Sequence, residues 1–126
     1  FRPVSVMNFA EGTRFTSKKH ANQNSPFSHL LRPKAGGTGF ALSAMNQQLT
    51  HILDVTIAYP GVKDRSMWAF LCGDFSTVKV RVKTIAIDDS LRGDYTMDEG
   101  FRASFQTWLN QLWQDKNELL QELYSA

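Results

Sequence analysis

One short run holds the residue types of an anion site. It is Asn8-Phe-Ala-Glu-Gly-Thr-Arg14, placed where an apolar stretch gives way to a loop. Arg14 offers a planar fork that matches phosphate. Thr13 adds a hydroxyl, and Gly12 lets the backbone approach a ligand closely. Glu11 has the chemistry to orient the arginine or to accept a hydrogen bond from a substrate hydroxyl. A four-residue Glu-Gly-Thr-Arg also fits a plain structural turn. The surroundings add charge. Between Glu11 and Asp54 there is no acidic residue, while Arg14, Lys18, Lys19, Arg32 and Lys34 and the histidines 20, 29 and 51 all fall there. From Asp98 to Ala126 five acidic residues face only Arg102 and Lys116. The front third is thus a cationic field and the tail is anionic. Such a field attracts phosphate, nucleic acid or an anionic membrane surface, and it also fits a solvated basic face.

Other chemistries find little support. His20, His29, His51 and Cys72 lack the close spacing of a structural zinc site, so no metal is expected. Gly36-Gly-Thr-Gly39 matches neither the P-loop nor the dinucleotide fingerprint, although it introduces a helix whose amides can hold an anion. No Gly-x-Ser-x-Gly elbow occurs. No aromatic-plus-basic signature of an RNA-binding sheet occurs either, and no nucleic-acid partner is expected. On a strand, His51 and Asp54 would point to opposite faces, which disfavours a His–Asp dyad.

The elements that must position these residues read as follows. Pro3–Phe9 is apolar and β-branched, as in a buried strand. Gly36–Gly39 reads as a breaker cluster, after which Thr38 caps a helix running to about Leu49. His51–Tyr59 reads as a strand ended by Pro60-Gly61, and Met67–Leu71 as a short helix closed by Gly73. In Thr77–Ile87 the valines 78, 80 and 82 alternate with Lys79, Arg81 and Lys83. The phase then slips to Ile85 and Ile87, which predicts a bulge near Thr84. The three cations suit lipid headgroups, a solvent face or a lysine-guarded edge. Thr96-Met-Asp-Glu99 has capping-box spacing. Behind it Phe101, Phe105, Trp108, Leu109, Leu112, Leu119, Leu120 and Leu123 recur at helical steps, with Trp113 and Tyr124 widening the stripe. The acidic polar face of this helix opposes binding to anionic lipid and favours packing on the sheet. The alternation of elements makes the fold class α/β.

At 126 residues the chain is one domain, 1–126, and 15 aromatic side chains among 42% hydrophobic residues can support a core. A single cysteine, Cys72, excludes an intrachain disulfide framework. No run approaches the roughly 20 apolar residues of a spanning helix, so the chain itself reads as soluble. Residue 1 is Phe, which reads as processing or as a piece of something longer.

Asn8-Phe-Ala-Glu-Gly-Thr-Arg-Phe-Thr16 resembles the third sequence block of the 1-acyl-sn-glycerol-3-phosphate (lysophosphatidate) acyltransferases, a glycerolipid acyltransferase family, here expected in its bacterial type. Lys18-Lys19-His20, His29-Leu-Leu-Arg-Pro-Lys34 and the glycine-rich helix start resemble the continuation in one branch. Asp54-Val-Thr-Ile-Ala-Tyr-Pro60 resembles the fourth block, and Trp108-Leu109 through Lys116 to Tyr124 resembles the closing helix. The likeness runs in order along essentially the whole chain. Two features depart from it. Ala10 stands where the family usually has proline, which bears on loop rigidity. The catalytic His-x-x-x-x-Asp is missing: the residues five after His20, His29 and His51 are Ser25, Lys34 and Thr56.

The resemblance implies the C-terminal part of an acyltransferase domain: a mixed sheet with flanking helices and a long C-terminal amphipathic helix. It implies an enzyme of phospholipid biosynthesis that moves an acyl group from acyl-CoA or acyl carrier protein, as co-substrate, to a lysophospholipid such as lysophosphatidate, without a cofactor. In the family a histidine deprotonates the acceptor hydroxyl. With that block absent, this chain holds no catalytic residue and is expected to be inactive alone. Carried across, Arg14 binds the acceptor phosphate, with Glu11, Gly12 and Thr13 shaping the site. Lys18, Lys19, Arg32 and Lys34 steer anionic substrate or seat the protein on an anionic bilayer. Thr56, Tyr59 and Pro60 line the acceptor or acyl region. The parent is expected at the cytoplasmic (inner) membrane, its active site facing the cytoplasm. A truncated sheet exposes an edge, through which copies of the chain can pair. The alternative is a stand-alone, non-catalytic anion- or lipid-binding module.

Overall fold

The computed structural model of the chain describes residues 3–45, 48–61, 67–73 and 77–125. Helix α1 spans Ser17–Gln23, α2 Ala35–Met45, strand β1 His51–Ala58, helix α3 Met67–Leu71, strand β2 Lys79–Ala86 and α4 Glu99–Ser125, with one 3-10 turn at Asp89–Leu91. Among the described residues this is an α/β arrangement: an antiparallel two-stranded ribbon and four helices, of which α4 is the long C-terminal one. Helix α4 forms where the sequence places its apolar stripe. Phe105, Leu109, Trp113, Leu120 and Leu123 are buried at three- to seven-residue steps, against Ala58 and Ile87 of the ribbon region, Ala35 and Leu42 of α2, and Phe27 and Leu30 of the preceding loop. Leu31, also in that loop, is fully buried. Asp98 caps α4 by accepting from the Phe101 amide at 3.0 Å, while Asp94 accepts from the amides of Thr96 and Met97. The expected Thr96–Glu99 capping box does not form. The helix instead starts at Glu99, so Asp98 is its cap, and a carboxylate there also complements the positive helix end.

The ribbon runs in continuous register from His51 opposite Ala86 to Ala58 opposite Lys79. The expected bulge near Thr84 is therefore not present. The slip in apolar phase has another cause: the two faces of β2 are apolar at different ends. Val80 and Val82 point outward with Leu53, Val55 and Ile57, all exposed, while Ile85 shares the α4 side with Ile52. The β2 cations share that inner side. Arg81 and Lys83 line a recess of about 290 Å³ with Asp54 and Thr56 of β1 and Asp115 and Lys116 of α4.

Two further expectations fail. Pro3–Phe9 forms no strand among the described residues, and Val4, Val6, Met7 and Phe9 are exposed. A strand needs a partner ladder, which β-branched content alone does not provide. The glycine cluster does not break helix α2 but lies inside it, so Thr38 is not its cap. A Cβ at Gly37 would sit 3.1 Å from Asn8 Oδ1, and one at Gly39 would overlap the Tyr95 ring. These glycines allow close packing that outweighs a helix cost of about 1 kcal/mol each. The helix ends at Met45; residues 46 and 47, within the expected extension to Leu49, lie outside the described residues.

Candidate functional site

The Glu11–Arg14 run folds as a tight turn. The Gly12 amide donates to Phe9 O at 2.9 Å, and Gly12 takes φ +73°, a left-handed conformation that favours glycine. The Lys34 amide donates to Ala10 O at 2.7 Å, so Ala10, standing where proline is usual, is held from outside. Glu11 fixes the turn to the core: its Oε1 accepts from the Leu31 amide at 3.1 Å and from the Trp113 indole Nε1 at 3.2 Å. Burial raises the Glu11 carboxyl above the ordinary glutamate range. The hydrogen bonds from Trp113 and Leu31 and the nearby charge of Lys116 pull the other way.

Cations gather on the open side of this turn. Lys19 Nζ donates to Thr13 Oγ1 at 2.6 Å and to Arg14 O at 3.4 Å. Lys34 Nζ lies 3.6 Å from where a Cβ on Gly12 would sit, ordinary contact distance, so its ammonium rests against the face of the turn. Arg14 is exposed, and its guanidinium makes no hydrogen bond or ion pair among the described residues. Its planar fork is therefore open to an anion. Lys18 is exposed on α1 and likewise has no such partner among the described residues. Arg32 differs: its Nε donates to Gln23 O at 3.0 Å and its Nη2 to Asn24 O at 2.9 Å. It closes the C-terminal end of α1, where a cation complements the helix dipole.

The remaining predicted site residues lie apart from the turn. Thr56 is almost fully buried on the α4 side of β1 and reaches the recess between ribbon and helix. The Tyr59 amide donates to Tyr124 Oη at 3.3 Å, near the far end of α4. Trp113 and Tyr124 are eleven residues apart, or about 16 Å along a helix. Neither Tyr59 nor Pro60 lines that recess or the second one, which lies between Lys83–Ala86 and Trp108, Gln111, Leu112 and Asp115. Glu11–Arg14 border neither recess.

Sequence reasoning missed the contacts of Trp113, Lys116 and Asp54. Trp113 served only to widen an apolar stripe, yet its N–H reaches Glu11. Lys116 pairs with Asp54 at 2.7 Å, with both side chains 11% exposed, and it also donates to Val55 O at 2.8 Å. Its ammonium stands 4.9 Å from the Trp113 ring centroid. The one available signal was the i, i+3 spacing of Trp113 and Lys116, which places both on one helix face.

The turn therefore presents an Arg14 guanidinium without a partner among the described residues, with the ammonium groups of Lys19 and Lys34 also against the turn and a half-buried Glu11 anchoring it. No family model matches the chain, and no solved structure matches it. Among curated proteins it is 25% identical to the 2-acyl-1-lysophosphatidylinositol acyltransferase of Saccharomyces cerevisiae over 136 residues, covering 98% of this chain and 34% of the yeast protein. It is 29% identical to 1-acyl-sn-glycerol-3-phosphate acyltransferase gamma of Mus musculus over 124 residues (92% and 31%) and of Homo sapiens over 125 (93% and 31%). The relatives are thus lysophospholipid acyltransferases, as the motifs indicate, and the chain spans about a third of their length.

Proposed function

We propose that this chain is the acceptor-binding portion of an acyltransferase that moves an acyl group from acyl-CoA or acyl carrier protein to a lysophospholipid such as lysophosphatidate. The observation that carries this reading is the exposed Arg14 guanidinium, without a partner among the described residues, on a turn that Glu11 ties to the core. Arg14 grips the phosphate. Lys19 and Lys34 add charge beside it, and Lys18 adds long-range attraction. Arg32 contributes to the field from the end of α1. Gly12 admits the headgroup, Thr13 orients Lys19, and Thr56, Tyr59 and Pro60 belong to the acceptor or acyl region. Holding the phosphate fixes the hydroxyl for attack on the thioester, and such positioning is worth on the order of 7–11 kcal/mol in well-oriented reactions. The base is supplied from outside these residues, since no His-x-x-x-x-Asp occurs in them.

In this reading the parent works at an anionic membrane surface with its site facing the cytoplasm. Among the described residues no helix is long and apolar enough to cross a membrane. The isolated chain is expected to release no thiol from acyl-CoA in the presence of lysophosphatidate; clear turnover would refute the division of labour. The cations clustered on one exposed turn also favour a second reading, a non-catalytic anion- or lipid-binding module. Flotation with phosphatidate vesicles by a chain with no longer reading frame around it would favour the module. An upstream His-x-x-x-x-Asp in the same reading frame would favour the enzyme.

A further inference from the structure

Helix α4 does more than cover the ribbon. One carboxylate oxygen of Glu11 receives N–H groups from two distant segments, the Leu31 amide and the Trp113 indole. Trp113 is buried, and Lys116, one turn along α4, caps its ring and anchors to Asp54 and Val55 O on β1. The turn, the loop at Leu31 and strand β1 are therefore referenced to one rigid helix. The contacts from Lys19 and Lys34 reach Thr13, Arg14 O and the face of Gly12, but neither ties the turn to α4.

We propose that Trp113 is a positioning residue of the phosphate turn: its indole N–H holds Glu11, which sets the direction in which Gly12, Thr13 and Arg14 face the ligand, and Lys116 holds Trp113. The proposal rests on the reading of Glu11–Arg14 as a phosphate turn. It gives α4 a part in acceptor binding although no residue of α4 touches the acceptor. A purely structural tryptophan needs its ring, whereas a positioning one needs its N–H. Phenylalanine keeps most of the ring area and removes the donor.

The test uses the whole chain, with amide hydrogen exchange and titration with inorganic phosphate. In Trp113→Phe the Gly12 amide should exchange about tenfold faster, the scale of losing one hydrogen bond to a charged group. The Ile87 amide, which donates to Thr50 O at the ribbon end, should keep its rate as an internal control. Phosphate affinity should fall by a similar factor. An unchanged Gly12 rate in Trp113→Phe, or equal acceleration at Gly12 and Ile87, would overturn the proposal. Should Trp113→Phe not fold, the wild-type indole Nε1 resonance decides. It must follow a carboxyl titration that vanishes in Glu11→Gln, and indifference to that titration counts against the role. Arg14→Ala separates the two readings. If that variant binds phosphate like wild type, the phosphate reading fails, while the exchange rate at Gly12 still judges the positioning role.

Discussion

The indole Nε1 of Trp113 donates to the carboxylate of Glu11 at 3.2 Å, across 102 residues of chain. The contact joins the turn bearing Arg14 to the helix that closes the fold. It also explains why a carboxylate is tolerated in a half-buried place: two N–H donors and the Lys116 charge offset part of the cost of burial.

The offset is incomplete, and the sign of the residue has a consequence for pH. Burial leaves the Glu11 carboxyl raised, so the folded chain holds this proton more tightly than the unfolded chain does. Its contribution to stability is present below the unfolded value, about 4.3, and is lost as pH rises through the folded value. Glu11→Gln should therefore melt higher than wild type near neutral pH, with the gap closing below about pH 4. A gap that widens on acidification would contradict this. Asp88, lowered by hydrogen bonds from Ser90, has the opposite sign and loses its contribution as pH falls, so the comparison must be made against wild type at each pH.

The Lys116–Asp54 pair should behave as a pair. Lys116→Met leaves Asp54 uncompensated at a site only 11% exposed, and the expected cost is on the order of 3 kcal/mol. The double variant with Asp54→Asn should recover part of it. Denaturant unfolding of the cycle provides the check, and strict additivity would show that the two groups do not interact.

Two glycines of α2 should respond with opposite signs. Nothing lies within 4 Å of a Cβ at Gly36, so Gly36→Ala should stabilise by about 0.5–1 kcal/mol. At Gly39 the Tyr95 ring occupies that space, and Gly39→Ala should destabilise by about 1–3 kcal/mol despite the better helix former. Thermal melts of the two variants test the close packing of α2 against Tyr95.

The exposed apolar face formed by Leu53, Val55, Ile57, Val80 and Val82, beside ribbon edges that lack a further strand among the described residues, should drive association between copies of the isolated chain. Sedimentation should show a concentration-dependent increase in mass that Val82→Lys reduces. A monomer at all concentrations would count against pairing.

What the sequence made legible follows from how local each signal is. Helix α4, α3 and the two strands rest on periodicity and turn residues within a dozen positions, and they stand where the pattern puts them. Pro3–Phe9 looked like a strand by content, but pairing is a property of neighbours elsewhere. The glycines of α2 look like breakers until the groups they admit, Asn8 and Tyr95, are seen. The phase slip in β2 concealed a ribbon with two differently apolar faces. The turn at Glu11–Arg14 was legible because its four residues are adjacent and include a glycine. Its support was not, because Trp113, Lys116 and Asp54 meet it only through the fold.

The most direct measurement is the dissociation constant of glycerol 3-phosphate for the chain with Arg14 intact, replaced by lysine, and replaced by alanine. Loss of a charge-assisted hydrogen-bonding fork should weaken binding about tenfold or more in Arg14→Ala. Arg14→Lys, with charge but no fork, should fall between the two. Equal affinity across all three proteins would contradict the account.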